Sequence, residues 1–312
     1  MESILLSANV MFPLFIMMVL GYWLRKCGRL NDETVTKMNG ITFHVFISSM
    51  VFDSIYNAEF LGIEHLSFAL YGVACVLLLF FCSWFLIAKL EPVVIRRGVM
   101  VQGLYRSNLA ILGITICRSI FGEGKIGATV ILIAIVVPLY NCLAVIILSI
   151  YRGEKVGFID TVKDVLKNPV IVATILGVIL KLLNIQLPRM VLIAVGDLSD
   201  LATPIALILL GGYFRFNSSR KYAFRIMLIS VFKLIIIPLI FITLSVFLGY
   251  RGVELASLMI MFGAPVGVST FTMSQEMGGD SEFACQIIVF SSLFSMLTLF
   301  IWIAALNSLA LI

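Results

Sequence analysis

Apolar residues run along this chain in blocks of about twenty, each long enough as a helix to cross a ~30 Å hydrocarbon core. Ten blocks are legible, at about residues 4–24, 38–57, 66–89, 98–120, 126–151, 167–187, 190–213, 223–249, 253–277 and 282–306. Turn-forming stretches part them: Gly28-Arg29-Leu30-Asn31-Asp32, Glu91-Pro92, Gly122-Glu123-Gly124, Gly153-Glu154-Lys155, Asn217-Ser218-Ser219 and Gly278-Gly279-Asp280. The longest connection, about 152–167, falls at the midpoint. Two blocks are interrupted. In span 4, Arg106-Ser107-Asn108 sits between Gly103 and Gly113; in span 9, Gly263-Ala264-Pro265-Val266-Gly267 breaks the apolar run with Gly and Pro.

A shift of 156 residues lays the chain on itself, with Pro13 on Pro169, Gly21 on Gly177, Gly40 on Gly196 and Gly122 on Gly278. Each half, 1–156 and 157–312, then holds five spans. An odd number per half forces the second to insert upside down, which makes the repeat inverted. The interruptions around Asn108 and Pro265 are the same element of the two halves. Paired broken spans are the best sequence pointer to the binding site of a secondary carrier.

Composition agrees with a membrane protein. Hydrophobic residues make up 61%, charged residues 12%, and the mean hydropathy is +1.12, against about 25% charged in soluble domains. The first block has no basic leader and no small-residue cleavage site, so it reads as a retained helix. Of the 22 Lys and Arg, 15 lie in the loops after odd-numbered spans. The positive-inside rule then puts those loops in the cytoplasm and both termini outside the cell membrane.

The six cysteines show no C-x-x-C pair, so neither a zinc site nor a disulfide framework is expected. The net charge of +5 is dispersed among loops, which argues against nucleic acid. There is no G-x-x-x-x-G-K-[ST], H-E-x-x-H or G-x-S-x-G, so neither an ATP-driven machine nor an enzyme is expected. No cofactor is expected. The implied partners are a small organic anion and the membrane lipids, with a homodimer left open.

The candidate chemistry gathers at the interruptions. A guanidinium in mid-span is costly unless it faces a cavity or a partner, and its planar fork suits a carboxylate. Arg106 is therefore a candidate anion-binding residue, with snorkelling towards the cytoplasm or a structural ion pair as the alternatives. Ser107, Asn108 and Gly113 accompany it, as does Asn141, one turn after Pro138 in span 5. In span 9, Gly263, Ala264 and Pro265 mark the break, and Ser269 and Thr270 open a polar path. Pro265 frees carbonyls that could ligate Na⁺ there and near Asn108. Coupling to H⁺ or Na⁺ is open, with Asp197, Asp200, Lys233, His44 and Gln275 as candidates. Glu276, Asp280 and Glu282 lie in a loop without Lys or Arg and read as solvated.

Taken in order, Pro13-x7-Gly21-Tyr22-x-Leu24, Tyr105-Arg106-Ser107-Asn108 with Gly113 and Phe121-Gly122 form a recognisable series. Asn168-Pro169, Pro204-x2-Leu207-x3-Gly211, Lys233-x4-Pro238 and Ala264-Pro265 continue it. The whole chain resembles the auxin efflux carrier family of bacterial and plant transporters. The resemblance implies an all-α fold of ten transmembrane helices in a five-plus-five inverted repeat, similar to the bile-acid sodium symporters. It implies that helices 4 and 9 are broken and cross at the bilayer midplane. Spans 1, 2, 6 and 7 would be a scaffold, and spans 3–5 and 8–10 a moving transport unit. Asn108 and Pro265 would mark the crossover, with Arg106 attracting anions beside it.

Relatives carry malate and other dicarboxylates or the indole acid auxin, so a malate-permease-like carrier is expected. A sodium-coupled symporter of amphipathic or steroid-like anions, an auxin-like carrier and a non-transporting membrane sensor are the alternatives. Ser48 stands where family members often have Pro, so no proline kink is expected in span 2.

Overall fold

The computed structural model describes residues 2–58, 66–122, 125–152 and 158–312. The turns read at Glu123-Gly124 and Gly153-Glu154-Lys155, and the boundary between the halves at 156–157, lie outside them. All regular structure among the described residues is helical. The first half runs α1 (Glu2–Lys26), α2 (Asp32–Ile41), α3 (Ser48–Tyr56), α4 (Leu66–Leu90), α5 (Val94–Tyr105), α6 (Leu109–Phe121) and α7 (Gly127–Ile150). The second runs α8 (Phe158–Lys167), α9 (Pro169–Leu182), α10 (Arg189–Tyr213), α11 (Phe216–Val231), α12 (Ile237–Phe247), α13 (Gly252–Gly263), α14 (Ser269–Glu276) and α15 (Ser281–Ser308). π-helical stretches, Thr42–Ile47 and Phe232–Ile236, join α2 to α3 and α11 to α12.

By length and composition, six helical stretches of the described residues qualify as membrane spans, two of them the composite runs Val94–Phe121 and Phe216–Phe247. The bent pair Thr161–Lys167 with Pro169–Leu182 makes a seventh if counted as one. The chain is thus an all-α polytopic membrane protein. The long midpoint connection is not bare loop, because α8 occupies most of it and meets α9 at a 60° bend. Asn168 makes that corner: its side chain accepts from Val170 N–H, and Pro169 fills the first helical position, where a missing N–H costs nothing.

Two glycines set the closest helix contacts. A methyl on Gly21 of α1 would lie 1.9 Å from the Ile208 carbonyl oxygen, and one on Gly211 of α10 1.9 Å from that of Met18. Backbone therefore meets backbone along α1 and α10, as small residues allow in membranes. Gly177 of α9 plays a milder version of the part against α3, where its Cβ would sit 3.2 Å from Ile55 and 3.4 Å from the Phe52 carbonyl oxygen.

The π-stretches have local causes. Pro238 has no N–H to give Leu234, and the freed carbonyl accepts from the Trp302 indole at 3.0 Å. The turn widens so that Ile237 N–H reaches back to the Phe232 carbonyl. In the other stretch no proline is present; Ser48 Oγ instead donates to the Phe43 carbonyl at 3.2 Å. Span 2 thus departs from α-geometry without the proline kink.

A belt of ion pairs ties the helix ends that the charge rule assigns to the cytoplasm. Glu91, 4% exposed, pairs with Arg225 at 2.7 Å, and Asp280 pairs with Arg96 at 2.8 Å while capping α15 through Phe283 N–H. Glu282 accepts from Ser218 at 2.5 Å and Lys221 at 3.3 Å. The solvated reading of Asp280 and Glu282 is therefore corrected: their loop lacks Lys and Arg, but α5 and α11 bring them. Asp32 forms a second group with Arg25 and Arg215, each at 2.8 Å.

Candidate functional site

The two interruptions touch. α5 stops at Tyr105 and α13 at Gly263, and between each and its continuation the backbone is extended at Arg106 (φ −87°, ψ 131°) and Ala264 (φ −69°, ψ 153°). Asn108 N–H donates to the Pro265 carbonyl at 2.9 Å, and Val266 N–H to Ser291 Oγ of α15 at 3.3 Å. Each broken segment thus supplies what the other lacks, as non-helical backbone inside a membrane protein requires. Gly267 permits the approach: a Cβ there would press on the Ser107 carbonyl oxygen at 3.3 Å and Arg106 Nε at 3.5 Å.

Arg106 is 3% exposed and does not snorkel. Its Nη2 donates to Asn141 Oδ1 of α7 at 2.5 Å and Ser269 Oγ of α14 at 2.6 Å. Its Nη1 reaches Gln102 Oε1 at 3.3 Å and Met273 Sδ at 3.0 Å. All four partners are neutral, and among the described residues no carboxylate pairs with it. Among these residues the structural ion pair is absent, and none of them compensates the guanidinium charge.

Arg106, Ser107 and Asn108 line a cavity of about 50 Å³, walled on the same side by Tyr140, Asn141 and Gly267–Ser269. Ile47 and Met50 form another wall, with Ala202, Thr203 and Ala206 of α10. The N-terminal ends of α6 (Asn108, Ala110, Ile111) and α14 (Val268, Ser269) also border it. Two positive helix ends and a guanidinium therefore converge on one small space, an arrangement that favours an anion. At ~10–15 Å³ per water, it holds a few waters.

The other candidates divide. Asn141 and Ser269 join Arg106 directly, and Ala264 and Pro265 form the break. Thr270 is buried with its hydroxyl unpartnered, outside the cavity wall. Gly113 is a packing position, its Cβ 3.2 Å from Ile133, and Gly263 lies against Pro238 and Trp302. Gln275 donates to Thr36 Oγ1 at 3.3 Å. His44 lines a separate, wider cavity of about 410 Å³, 3.7 Å from Glu276 Oε1. Asp197 and Asp200 lie exposed on α10, and neither lines the Arg106 cavity. Lys233 is fully buried and has no partner among the described residues.

Gln102, Tyr140 and Met273 join the site beyond the residues the sequence singles out. Gln102 carried a signal, standing one turn before Arg106 on the same helix face. Tyr140 and Met273 arrive only through tertiary packing.

Comparison with known proteins agrees with this geometry. The chain is 25% identical over 306 residues to an uncharacterized transporter of Methanothermobacter thermautotrophicus, covering 95% of this chain and 97% of that one. It is 23% identical over 311 residues to an uncharacterized transporter of Methanocaldococcus jannaschii, covering 96% and 98%. The family described as "Membrane transport protein" matches residues 7–161 and 154–303. With nearly the whole length matched, the chain belongs to that family of membrane transporters, the auxin efflux carriers.

Proposed function

We propose that this protein is a secondary carrier of a small organic anion of the malate or dicarboxylate type, working by alternating access. The observation that carries the reading is the convergence of Arg106, with no acidic partner among the described residues, with the N-termini of α6 and α14 on one cavity. A carboxylate entering there would replace neutral partners by a charge-assisted pair, roughly twice as strong as a neutral hydrogen bond.

The cavity lies between two groups of helices. α1, α2–α3, α9 and α10 would be the scaffold, and the remaining spans the transport unit. Its present volume is too small for an organic anion, so binding one requires the walls to part. Scaffold residues Met50 and Thr203 lie on one side, and Arg106 and Asn141 on the other.

A ten-span, five-plus-five inverted repeat with crossing helices 4 and 9 is supported by paired details. Gly21 joins span 1 to span 7 while Gly177 joins span 6 to span 2. Gly122 and Gly278, which follow the second halves of the two broken spans, both have positive φ, 86° and 74°. We place the protein in the cell membrane with both termini outside.

Uptake of radiolabelled L-malate into proteoliposomes tests the reading. Arg106→Ala and Asn108→Ala should abolish it while the protein still elutes as a monodisperse peak. Unchanged uptake in both variants would sink the proposal.

A further inference from the structure

Lys233 is 0% exposed, and among the described residues nothing bonds to its Nζ. It stands in the π-stretch Phe232–Ile236, a backbone form that recurs at functional sites. Ser230, three residues earlier, is also buried with a free hydroxyl.

The level of Lys233 can be fixed from its neighbours on the same helix. Ile229 packs at Gly103, near the end of α5, and Pro238 packs at Gly263, the last residue of α13. Lys233 lies between these contacts and so at the level of the two interruptions. There α5 and α13 end, and their carboxyl termini carry the negative ends of two helix dipoles. The π-stretch packs against both helices and α15, on elements we assign to the transport unit.

No acid on those elements answers the amine. On α15, Glu282 is held by Ser218 and Lys221, and Cys285 donates to the Leu210 carbonyl. On α13, Glu254 belongs to the first turn, at the opposite end from Gly263. On α5, Arg96 is paired with Asp280, Arg97 donates to the Glu91 carbonyl and Tyr105 to that of Tyr140. The ionisable residues of α11, from Arg220 to Arg225, lie two or more turns towards its start. An ammonium here would carry its full desolvation cost with nothing but dipoles to offset it. A dicarboxylate beside Arg106 changes that balance, since the guanidinium neutralises only one of its two charges.

We propose that Lys233 is the proton-carrying residue of the transport unit. Its amine takes a proton from water on the side where a dicarboxylate enters, forming the ammonium. It returns the proton when the anion leaves on the other side, so dianion and proton cross together. The loaded unit is then neutral, with two negative charges set against Arg106 and Lys233. This inference rests on the anion-carrier reading above.

Two measurements test it. In weakly buffered detergent solution with a pH-indicating dye, L-malate binding should draw about one proton per malate into the wild type and none into Lys233→Met. Lys233→Arg should also draw none, because a guanidinium stays charged. Proton uptake by Lys233→Met equal to that of the wild type overturns the proposal. The second needs no substrate: Nζ resonances of ¹⁵N-lysine-labelled protein at about pH 7, with the Lys233 signal assigned by its loss in Lys233→Met. An uncharged amine is expected, and an ammonium overturns the proposal. An amine signal in protein that binds no malate supports the titration of Lys233 and overturns the dicarboxylate reading instead.

Discussion

Gly211→Ala isolates the tightest contact in the fold. The added methyl would lie 1.9 Å from the Met18 carbonyl oxygen, 2.6 Å from its carbon and 2.8 Å from its Cα. All three are backbone atoms of α1, so no rotamer change relieves the clash. The helices must separate by more than an ångström, although gaps of ~0.5–1 Å already forfeit a quarter to a half of each dispersion contact along a seam. Overpacking typically costs ~1–3 kcal/mol, and a backbone-to-backbone clash belongs at or above the top of that range.

A control lies on the same helix. A methyl on Gly196 meets nothing within 4 Å, and Gly→Ala in a helix interior gains up to ~1 kcal/mol. Thermal unfolding in detergent should therefore show Gly211→Ala several degrees below wild type and Gly196→Ala at or above it. Equal midpoints for the two variants would refute the packing argument, and with it the reading of α1 and α10 as a locked pair.

Three further outcomes are expected. Arg225→Met leaves the buried Glu91 carboxylate without its 2.7 Å partner; a loss of about 3 kcal/mol in the same unfolding assay is expected, partly restored by Glu91→Gln. Asp32 titrates below its ordinary 3.8, chiefly because Arg25 donates to it, against partial burial and with help from Arg215. A depressed carboxylate stabilises the fold above its unfolded value and loses that contribution as pH falls through the folded one. Below about pH 4, wild type should lose stability more steeply than Asp32→Asn, by a small margin because the pair is solvent-screened. Cys27 is exposed between α1 and α2; in a Cys82→Ser background, an impermeant maleimide should label it in inside-out vesicles and not in intact cells, and the reverse pattern inverts the proposed orientation.

What the sequence could reveal followed the range of each interaction. Hydropathy acts along the chain, and α10, read as 190–213, runs Arg189–Tyr213. The interruption at Asn108 was visible because glycine and polar residues break an apolar run locally. The partners of Arg106 were harder to see: Asn141 is 35 residues away and Ser269 163. Asn141 stands out in the sequence only by its position after Pro138. The π-stretch before Pro238 has a readable cause, whereas the one at Thr42–Ile47 has no proline to announce it. Asp280 looked solvated because its own loop offers no cation; Arg96, 184 residues earlier, supplies one.

The two interruptions are better regarded as one feature than as two defects. A span broken at Arg106–Asn108 frees an amide that must be satisfied away from water, and Pro265, which itself breaks a helix, supplies the carbonyl. Neither break is tolerable without the other, so restoring continuous helix in one span would strand the backbone of its partner. The same exchange turns the amino ends of α6 and α14 towards the cavity while leaving the carboxyl ends of α5 and α13 at the level of Lys233. Positive dipole ends and Arg106 thus face the space an anion would enter, and the negative ends lie at the level of the buried amine. Each break supplies one positive and one negative end, so pairing the two sets two amino ends at the cavity and two carboxyl ends at the level of Lys233.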